Sequence, residues 1–399
     1  MKVYILTKGP FPNGMAATNR IKCYARAIKD GGIECEVIVC GCTEFDRKRI
    51  LNKEARGFYE DVPFQYIGGR TTDTRPRILR SFFQFIRLKK TEWFLNKQLC
   101  SGDILFLYIG KDLNQTLRFI KIAKRKKAKC VRDLCELPYV TGTETERTIR
   151  LRAEICKKQF PLFDGIISIS DNLMNVARTY SSQTCKHLKV PIMVEYEHYY
   201  IIKTPSNNEN PYLFHAGTLY QQKDGILGMI EAFGIAKKRL NTSLKYILTG
   251  EMKASSHPIE LQHLMDQYEL EDSIEFVGYL NREQIKEYLT HASLVISNRP
   301  KSQQDYYGFS TKVGEYLASG TPLVMTNWGE SVNWLENGKT AIITEPEDTE
   351  SLANAIVTVI SHPEESRIIG LAGQEVCRNC FDYRNWSKPI VEFFYQLGM

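Results

Sequence analysis

The sequence predicts an α/β protein built from two doubly wound, parallel-sheet domains in tandem. Short apolar, β-rich runs alternate with helical-period segments along most of the chain. The alternation starts afresh after "KTPSNNENP", 203 to 211, a Pro, Ser and Asn-rich stretch that reads as a linker. Length agrees, because 399 residues exceed one ordinary core and fit two domains of about 200 residues each.

In the first half the strand candidates are "KVYILT" (2 to 7), "CEVIVCGC" (35 to 42), "DILFLYIG" (103 to 110), "KCVRDL" (129 to 134) and "DGIISIS" (164 to 170). Each is apolar, rich in β-branched or aromatic residues and bounded by turn signals. Helical spacing at 14 to 30, 112 to 127, 144 to 160 and 171 to 180 supplies the crossovers of parallel βαβ units. The second half repeats the pattern through "YLFHAG", "LKYILTG", "SIEFVGYL", "SLVISN", "TPLVMTN" and "TAIITEP". This gives domains at 1 to 202 and 203 to 384, with strand C-terminal ends facing each other across a cleft. "NWSKPIVEFFYQL", from Asn385, is a closing helix expected to cross back to the first domain.

Hydrophobic content of 43% and charged content of 25% are those of a soluble globular protein. No run of about 18 uncharged apolar residues is present, and the first strand carries no signal-peptide cleavage site, so a cytoplasmic protein is expected. Eleven scattered cysteines do not make a disulfide framework. "CRNC", Cys377 to Cys380, lacks a second pair of ligands and reads as part of a C-terminal helix. Charge is uneven: residues 1 to 200 hold 36 Lys and Arg against 21 Asp and Glu, whereas 201 to 399 hold 17 against 25. That asymmetry points to an anionic surface or substrate on the N-terminal side.

Four features carry chemistry. "KGPFPNGMAATNR" follows the first strand, with Gly9, Pro10, Pro12 and Gly14 forming a loop before a helix that begins near Met15. It is not a G-x-G-x-x-G fingerprint, which is absent from every strand-to-helix junction and argues against an NAD or FAD enzyme. "HAGTLYQQKDG" puts Gly217 at a strand end and Lys223 beside a helix start, a combination suited to a phosphate. "SNRP" places Arg299 directly after a strand, where it can reach a phosphate or form a surface ion pair. "YGFSTKVGEYLASGTPLV", 307 to 324, opens a helix capped by Ser310 or Thr311 with Lys312 and Glu315 on one face. A helix start attracts anions, so a carboxylate there suits a neutral polar partner such as a pair of sugar hydroxyls.

Together these residues resemble glycosyltransferase family four, the retaining GT-B enzymes that use nucleotide sugars. The resemblance rests on the Gly-rich first loop, the G-x(5)-K spacing of Gly217 to Lys223, and "GFSTKVGEYLASGTPLV" followed by "NWGE". It implies two Rossmann-like domains and a donor site formed by Gly14, Gly217, Thr218, Lys223, Tyr307, Gly308, Phe309, Ser310, Thr311, Lys312 and Glu315. Phe309 and Glu315 occupy matching positions of the family pattern E-x-F-x(5)-E, and Glu315 takes the ribose-binding place. Two positions depart from the family: Tyr307 replaces the first Glu, and Thr218 replaces the Arg of G-R-L. The "F-S-T-K-x-x-E-Y" wording resembles bacterial surface-polysaccharide transferases.

On the acceptor side the expected residues are Met15, Asn19, Arg20, Asp133 and Glu136. The resemblance implies an acceptor-side His or acidic residue in about this region, and as no His lies in "VRDLCELPY" the catalytic candidate is Glu136; Lys223 and Arg299 are the catalytic cations. Segment 70 to 90 carries seven basic residues and one acidic one, interleaved with Phe82, Phe83, Phe85, Ile86 and Leu88. It suits an anionic membrane surface, or a buried amphipathic helix with a solvated basic face. Nucleic acid is not expected, since no recognition module accompanies the charge. The expectation is a metal-independent hexosyltransferase, cytoplasmic and peripheral to the inner face of the plasma membrane, using a UDP- or GDP-linked sugar, a lipid-linked saccharide acceptor and no cofactor. Two rival readings stand beside it: a sugar-nucleotide epimerase of the same architecture, and a noncatalytic carbohydrate- or lipid-binding protein.

Overall fold

Strand β1 (Lys2–Thr7) is buried over nearly its whole length, as a strand covered on both faces must be. The structure is a computed structural model and describes residues 1–46, 50–108, 112–138, 144–200, 211–240 and 242–398. The linker reading at 203 to 211 falls outside these, apart from Pro211.

From β1 the first unit continues through α1 (Ala16–Asp30), β2 (Glu34–Val39), β3 (Arg56–Tyr59), β4 (Val62–Tyr66), α2 (Arg77–Gln98), β5 (Ile104–Tyr108) and α3 (Leu113–Arg125). It goes on through β6 (Lys129–Leu134), α4 (Glu146–Gln159), β7 (Gly165–Ser168), α5 (Asp171–Tyr180) and β8 (Lys186–Lys189). The sheet order is β3-β4-β2-β1-β5-β6-β7-β8, parallel except for the β3–β4 pair. That edge hairpin is absent from the sequence reading. Its two turn residues, Glu60 and Asp61, both adopt positive φ, at 47° and 64°, a conformation normally signalled by Asn-Gly.

The second unit holds α6 (Tyr196–Tyr199), β9 (Tyr212–His215), α7 (Gln221–Asp224), α8 (Ile226–Arg239), β10 (Lys245–Leu248), α9 (Pro258–Tyr268), β11 (Ile274–Phe276) and α10 (Arg282–His291). It continues with β12 (Leu294–Ser297), α11 (Gln303–Tyr307), α12 (Thr311–Ala318), β13 (Leu323–Thr326), β14 (Ile342–Thr344), α13 (Thr349–Ser361) and α14 (Pro363–Val376). All six strands are parallel in the order β11-β10-β9-β12-β13-β14. "CRNC" falls in a π-helical turn, Cys377–Phe381, with the buried Cys377 thiol donating to the Gly314 carbonyl at 3.3 Å.

The chain then returns to the first unit as α15 (Ser387–Gly398). The Ser387 hydroxyl donates to the Ala27 carbonyl at 2.6 Å, and Ile390, Val391, Phe393, Phe394 and Leu397 join the core formed by β1, α1 and β5. The two compact units are Met1–Met193 with Tyr383–Met399, and Val194–Asp382. The first boundary therefore lies nine residues before the one read from the sequence. The cause is local: Tyr199 is buried and its hydroxyl accepts from Arg282 Nε at 3.3 Å, while Arg282 pairs with Glu195 at 2.7 Å. These contacts tie α6 to α10.

Candidate active site

In each sheet the strand order reverses at one place, between β1 and β5 in the first and between β9 and β12 in the second. Successive crossovers leave opposite sides there, and a crevice opens beyond the strand C-termini. Of the residues expected at the donor site, all but Gly14 belong to the second unit, and several gather at this point of it.

Its centre is Asp224, only 2% exposed at the end of α7. Oδ1 of Asp224 pairs with the Lys312 ammonium at 2.5 Å, and Oδ2 accepts from the Thr218 amide and hydroxyl at 3.2 and 3.4 Å. Burial opposes ionisation of this carboxyl, but Lys312 and His215 together outweigh it and hold the pKa far below the usual carboxylate range. Burial pushes the Lys312 pKa down against the pull of Asp224. His215, at the end of β9, places Nδ1 3.0 Å from the Ile296 carbonyl, which assigns the proton to Nδ1. Its Nε2 lies 3.6 Å from Asp224 without a hydrogen bond. Burial, then the Lys312 charge, pushes the imidazole pKa down.

Gly217 lies over this cluster. A Cβ there would sit 2.2 Å from His215 Nε2 and 2.9 Å from Lys312 Nζ, so close approach rather than backbone conformation requires glycine. Gly225 is the left-handed cap of α7, with φ 57°, and its carbonyl accepts from Asn298 at 2.9 Å.

Arg299 pairs with the buried Asp305 and donates from Nη1 to the Lys223 carbonyl at 2.7 Å. Two of the three cations expected at a diphosphate, Lys312 and Arg299, are thus already neutralised by buried carboxylates. The exposed Lys223 ammonium has no partner among the described residues. Asp224 and Asp305 were invisible as site residues in the sequence. The only hint was an acid directly after Lys223 in "QKDG" and another ahead of Tyr307 in "QDYYG".

Ser310 is the N-cap of α12 by position, but its side chain makes no capping hydrogen bond, and neither does Thr311. This corrects the capping expected from the sequence, and it leaves first-turn N–H groups without a side-chain acceptor. Phe309 is buried with its ring 5.5 Å from Phe381, which anchors the turn. A Cβ on Gly308 would meet the Gln304 carbonyl at 2.7 Å. Tyr307 ends α11 edge-on to Tyr306, at 5.1 Å between ring centres. Half-buried Glu315 lies near α6: after burial, its charge is the next cause raising the Tyr199 hydroxyl pKa.

In the first unit, Gly14 and the exposed Met15 precede α1. A Cβ on Gly14 would lie 2.1 Å from the Thr18 hydroxyl, and the half-buried Asn19 follows in the first turn. Arg20 and Asp133 do not present free groups to a ligand. Both are buried, and Arg20 donates to Asp133 from Nη2 at 3.0 Å and to the Pro191 carbonyl at 2.6 Å, while the Tyr24 hydroxyl donates to Asp133 at 2.6 Å. A charged pair this enclosed holds α1 to β6, so the acceptor contacts read from the sequence become a structural network at these two positions. Glu136 is exposed and, with Lys8, Gly9, Tyr108 and Arg132, lines a pocket of about 230 Å³ at the C-terminal ends of β1, β5 and β6. Arg132 was not singled out from the sequence.

A family model described as "Glycosyl transferases group 1" matches residues 200–376. An uncharacterised glycosyltransferase of Bacillus subtilis, YqgM, is 27% identical over 173 residues, 43% of this chain and 45% of that protein. The match thus spans under half the length of that relative. Sucrose-phosphate synthase from Thermosynechococcus elongatus superposes over 100% of this chain and 99% of its own, with a TM-score of 0.74 at 16% identity. The Anabaena protein HepE, solved in complex with UDP-glucose, covers 98% of this chain and 99% of its own, with a TM-score of 0.68 at 14% identity. At such identities the likeness shows the fold, which is GT-B. The matched stretch 200–376 includes the switch-point cluster around Asp224 and the start of α12, and there the chain is similar to the group 1 glycosyl transferases.

Proposed function

We propose that this protein is a retaining glycosyltransferase that moves a hexose-type sugar from a nucleotide sugar to a lipid-linked saccharide acceptor in surface-polysaccharide synthesis. The observation that carries the reading is the start of α12. Uncapped N–H groups, the unpartnered Lys223 ammonium and the Glu315 carboxylate belong to one unit, and the first two suit a diphosphate while the third suits ribose hydroxyls. UDP is the preferred nucleotide, supported by the UDP-glucose bound in the HepE structure.

In this reading the leaving diphosphate is stabilised electrostatically by Lys223 and the α12 amides, with Arg299 and Lys312 held in place by their carboxylates and no metal required. Tyr307 cannot act as a carboxylate nucleophile. Front-face displacement follows, in which the leaving phosphate takes the acceptor hydroxyl's proton as the new glycosidic bond forms.

Helix α2 supports the membrane part. Ile78, Phe82, Phe85 and Trp93 are 86%, 59%, 54% and 64% exposed, and their spacing places them on one stripe. Arg77, Arg80, Lys89, Lys90 and Lys97 accompany them on the same helix. Large exposed apolar groups flanked by cations match an anionic lipid surface at the inner face of the membrane. No helix among the described residues is long and apolar enough to cross a membrane.

The test is a thermal-shift screen with UDP, GDP, ADP, CMP and dTDP, followed by a transfer assay with the matching nucleotide sugar. A ligand that binds the native state alone raises the melting temperature. No response to any nucleotide would end the donor reading, and binding without transfer to any saccharide would leave a carbohydrate-binding protein.

A further inference from the structure

The pocket at the switch point of the first sheet contains a guanidinium that lacks its full set of hydrogen-bond partners among the described residues. Arg132 is 9% exposed, and its Nε and Nη1 have no hydrogen-bond partner among the described residues. Its sequence neighbour Asp133 also lines the pocket and its charge favours the guanidinium, but it makes no hydrogen bond to Nε or Nη1, because Arg20 and Tyr24 hold its carboxylate. A guanidinium does not give up its proton in a protein, and burial only lowers its pKa from the ordinary value. An ionised group enclosed in this way costs several kcal/mol unless acceptors are supplied.

Apart from Asp133, whose carboxylate is already engaged by Arg20 and Tyr24, the groups lining the pocket supply no compensating charge at depth. Burial, then the charge of Asp133, pushes the Cys135 thiol up to about 12, and burial raises the Tyr108 hydroxyl well above its ordinary value, so both are neutral near pH 7. Glu136 is exposed and Lys8 half-buried, and each lines the pocket. Gln159, from α4, adds a buried amide to its wall. The volume of about 230 Å³ is below that of a typical drug-sized site and fits a small ligand.

We infer that this pocket is an oxyanion site anchored by Arg132, taking the phosphate or carboxylate of a monosaccharide-sized ligand. An anionic oxygen there completes the guanidinium's hydrogen bonds and neutralises its charge, with Lys8 as a second cation. A neutral sugar does neither. Binding itself needs no chemistry in the second unit. Its further meaning, that the acceptor carries an anionic group, rests on the transferase reading.

The experiment titrates the full-length protein, without donor, with glucose 6-phosphate, glucuronate, inorganic phosphate and neutral glucose, at matched ionic strength in KCl. Thermal shift and calorimetry are the readouts, and the first two ligands separate phosphate from carboxylate. At least one anion is expected to raise the melting temperature by several degrees at millimolar concentration, while glucose has no effect. In Arg132→Met the anion response falls at least tenfold in affinity, whereas a UDP response, read in parallel, is unchanged. Should Arg132→Met not fold, Arg132→Lys keeps the charge but loses the planar donors, and its affinity is expected to fall about tenfold. Silence of the wild-type protein toward every anion, or unaltered affinity in the folded variants, overturns the inference. Loss of UDP binding with the anion response intact overturns the transferase reading alone.

Discussion

The ammonium of Lys312 and the carboxylate of Asp224, 88 residues apart in sequence, meet at 2.5 Å. Asp224 is nearly fully enclosed, so the pair links the start of α12 to the end of α7 through a contact that water cannot replace. Removing one partner strands the other. Asp224→Ala is therefore expected to destabilise the second unit by about 3–5 kcal/mol, measured by urea unfolding, and Asp224→Ala with Lys312→Met to recover much of that loss.

His215 makes stability sensitive to acid. Its native pKa lies below the unfolded value of about 6.5, so as pH falls through that value the unfolded chain gains a proton that the native state refuses. Stability is full above about pH 6.5 and declines below it. The depressed Asp224 acts in the same direction at lower pH, its contribution fading as pH falls below about 4 toward the native value. His187 and His198 are also lowered by burial and add to the decline. His215→Gln should flatten the part between pH 5 and 7, seen as a smaller fall in melting temperature than in the wild type.

Gly217 has no room for a side chain. Gly217→Ala is expected to cost about 1–3 kcal/mol as His215 and Lys312 give way, measured by denaturant melts. Normal stability in this variant would mean that the turn relaxes without disturbing the pair beneath it.

For the proposed reaction, Lys223→Ala should lower turnover by about 10²-fold with little loss of stability, as expected for an exposed group aimed at developing charge. Glu315→Ala should instead raise the donor KM by about 10- to 100-fold, the worth of hydrogen bonds to a charged acceptor. Steady-state kinetics with the matching nucleotide sugar separates the two effects.

On α2, replacing Phe82 and Phe85 with Ser removes two exposed rings worth about 1.5 kcal/mol or more each when buried in lipid. Partitioning onto vesicles of 30% phosphatidylserine should drop by about 10²-fold, while unfolding in solution changes little. Equal partitioning would assign this stripe to some other contact.

Local patterns carried much of the architecture. The parallel strands from β1 to β14 were largely legible because doubly covered strands must be continuous apolar runs, and the α12 region stood out through its Gly-Phe-Ser-Thr turn. The β3–β4 hairpin was not legible, since Glu60 and Asp61 take left-handed conformations without the glycine that usually announces them. Pairings across long sequence separations were equally hidden. Nothing around Asp224 or Asp305 says that these acids neutralise Lys312 and Arg299, and nothing in "KCVRDL" distinguishes Asp133, paired with Arg20, from Arg132, whose Nε and Nη1 have no hydrogen-bond partner among the described residues. Which charges remain free is a property of the folded surface, and that decides the chemistry of the site.

The return of α15 to the first unit has a consequence for biosynthesis. Phe393 and Phe394 complete a core begun by β1 and α1, yet the ribosome makes them only after every residue of the second unit. The nascent N-terminal portion must therefore wait, its α15 groove open, while the intervening unit is translated and folds as an insertion. The core of the first unit thus cannot be completed until the last residues of the chain have been made.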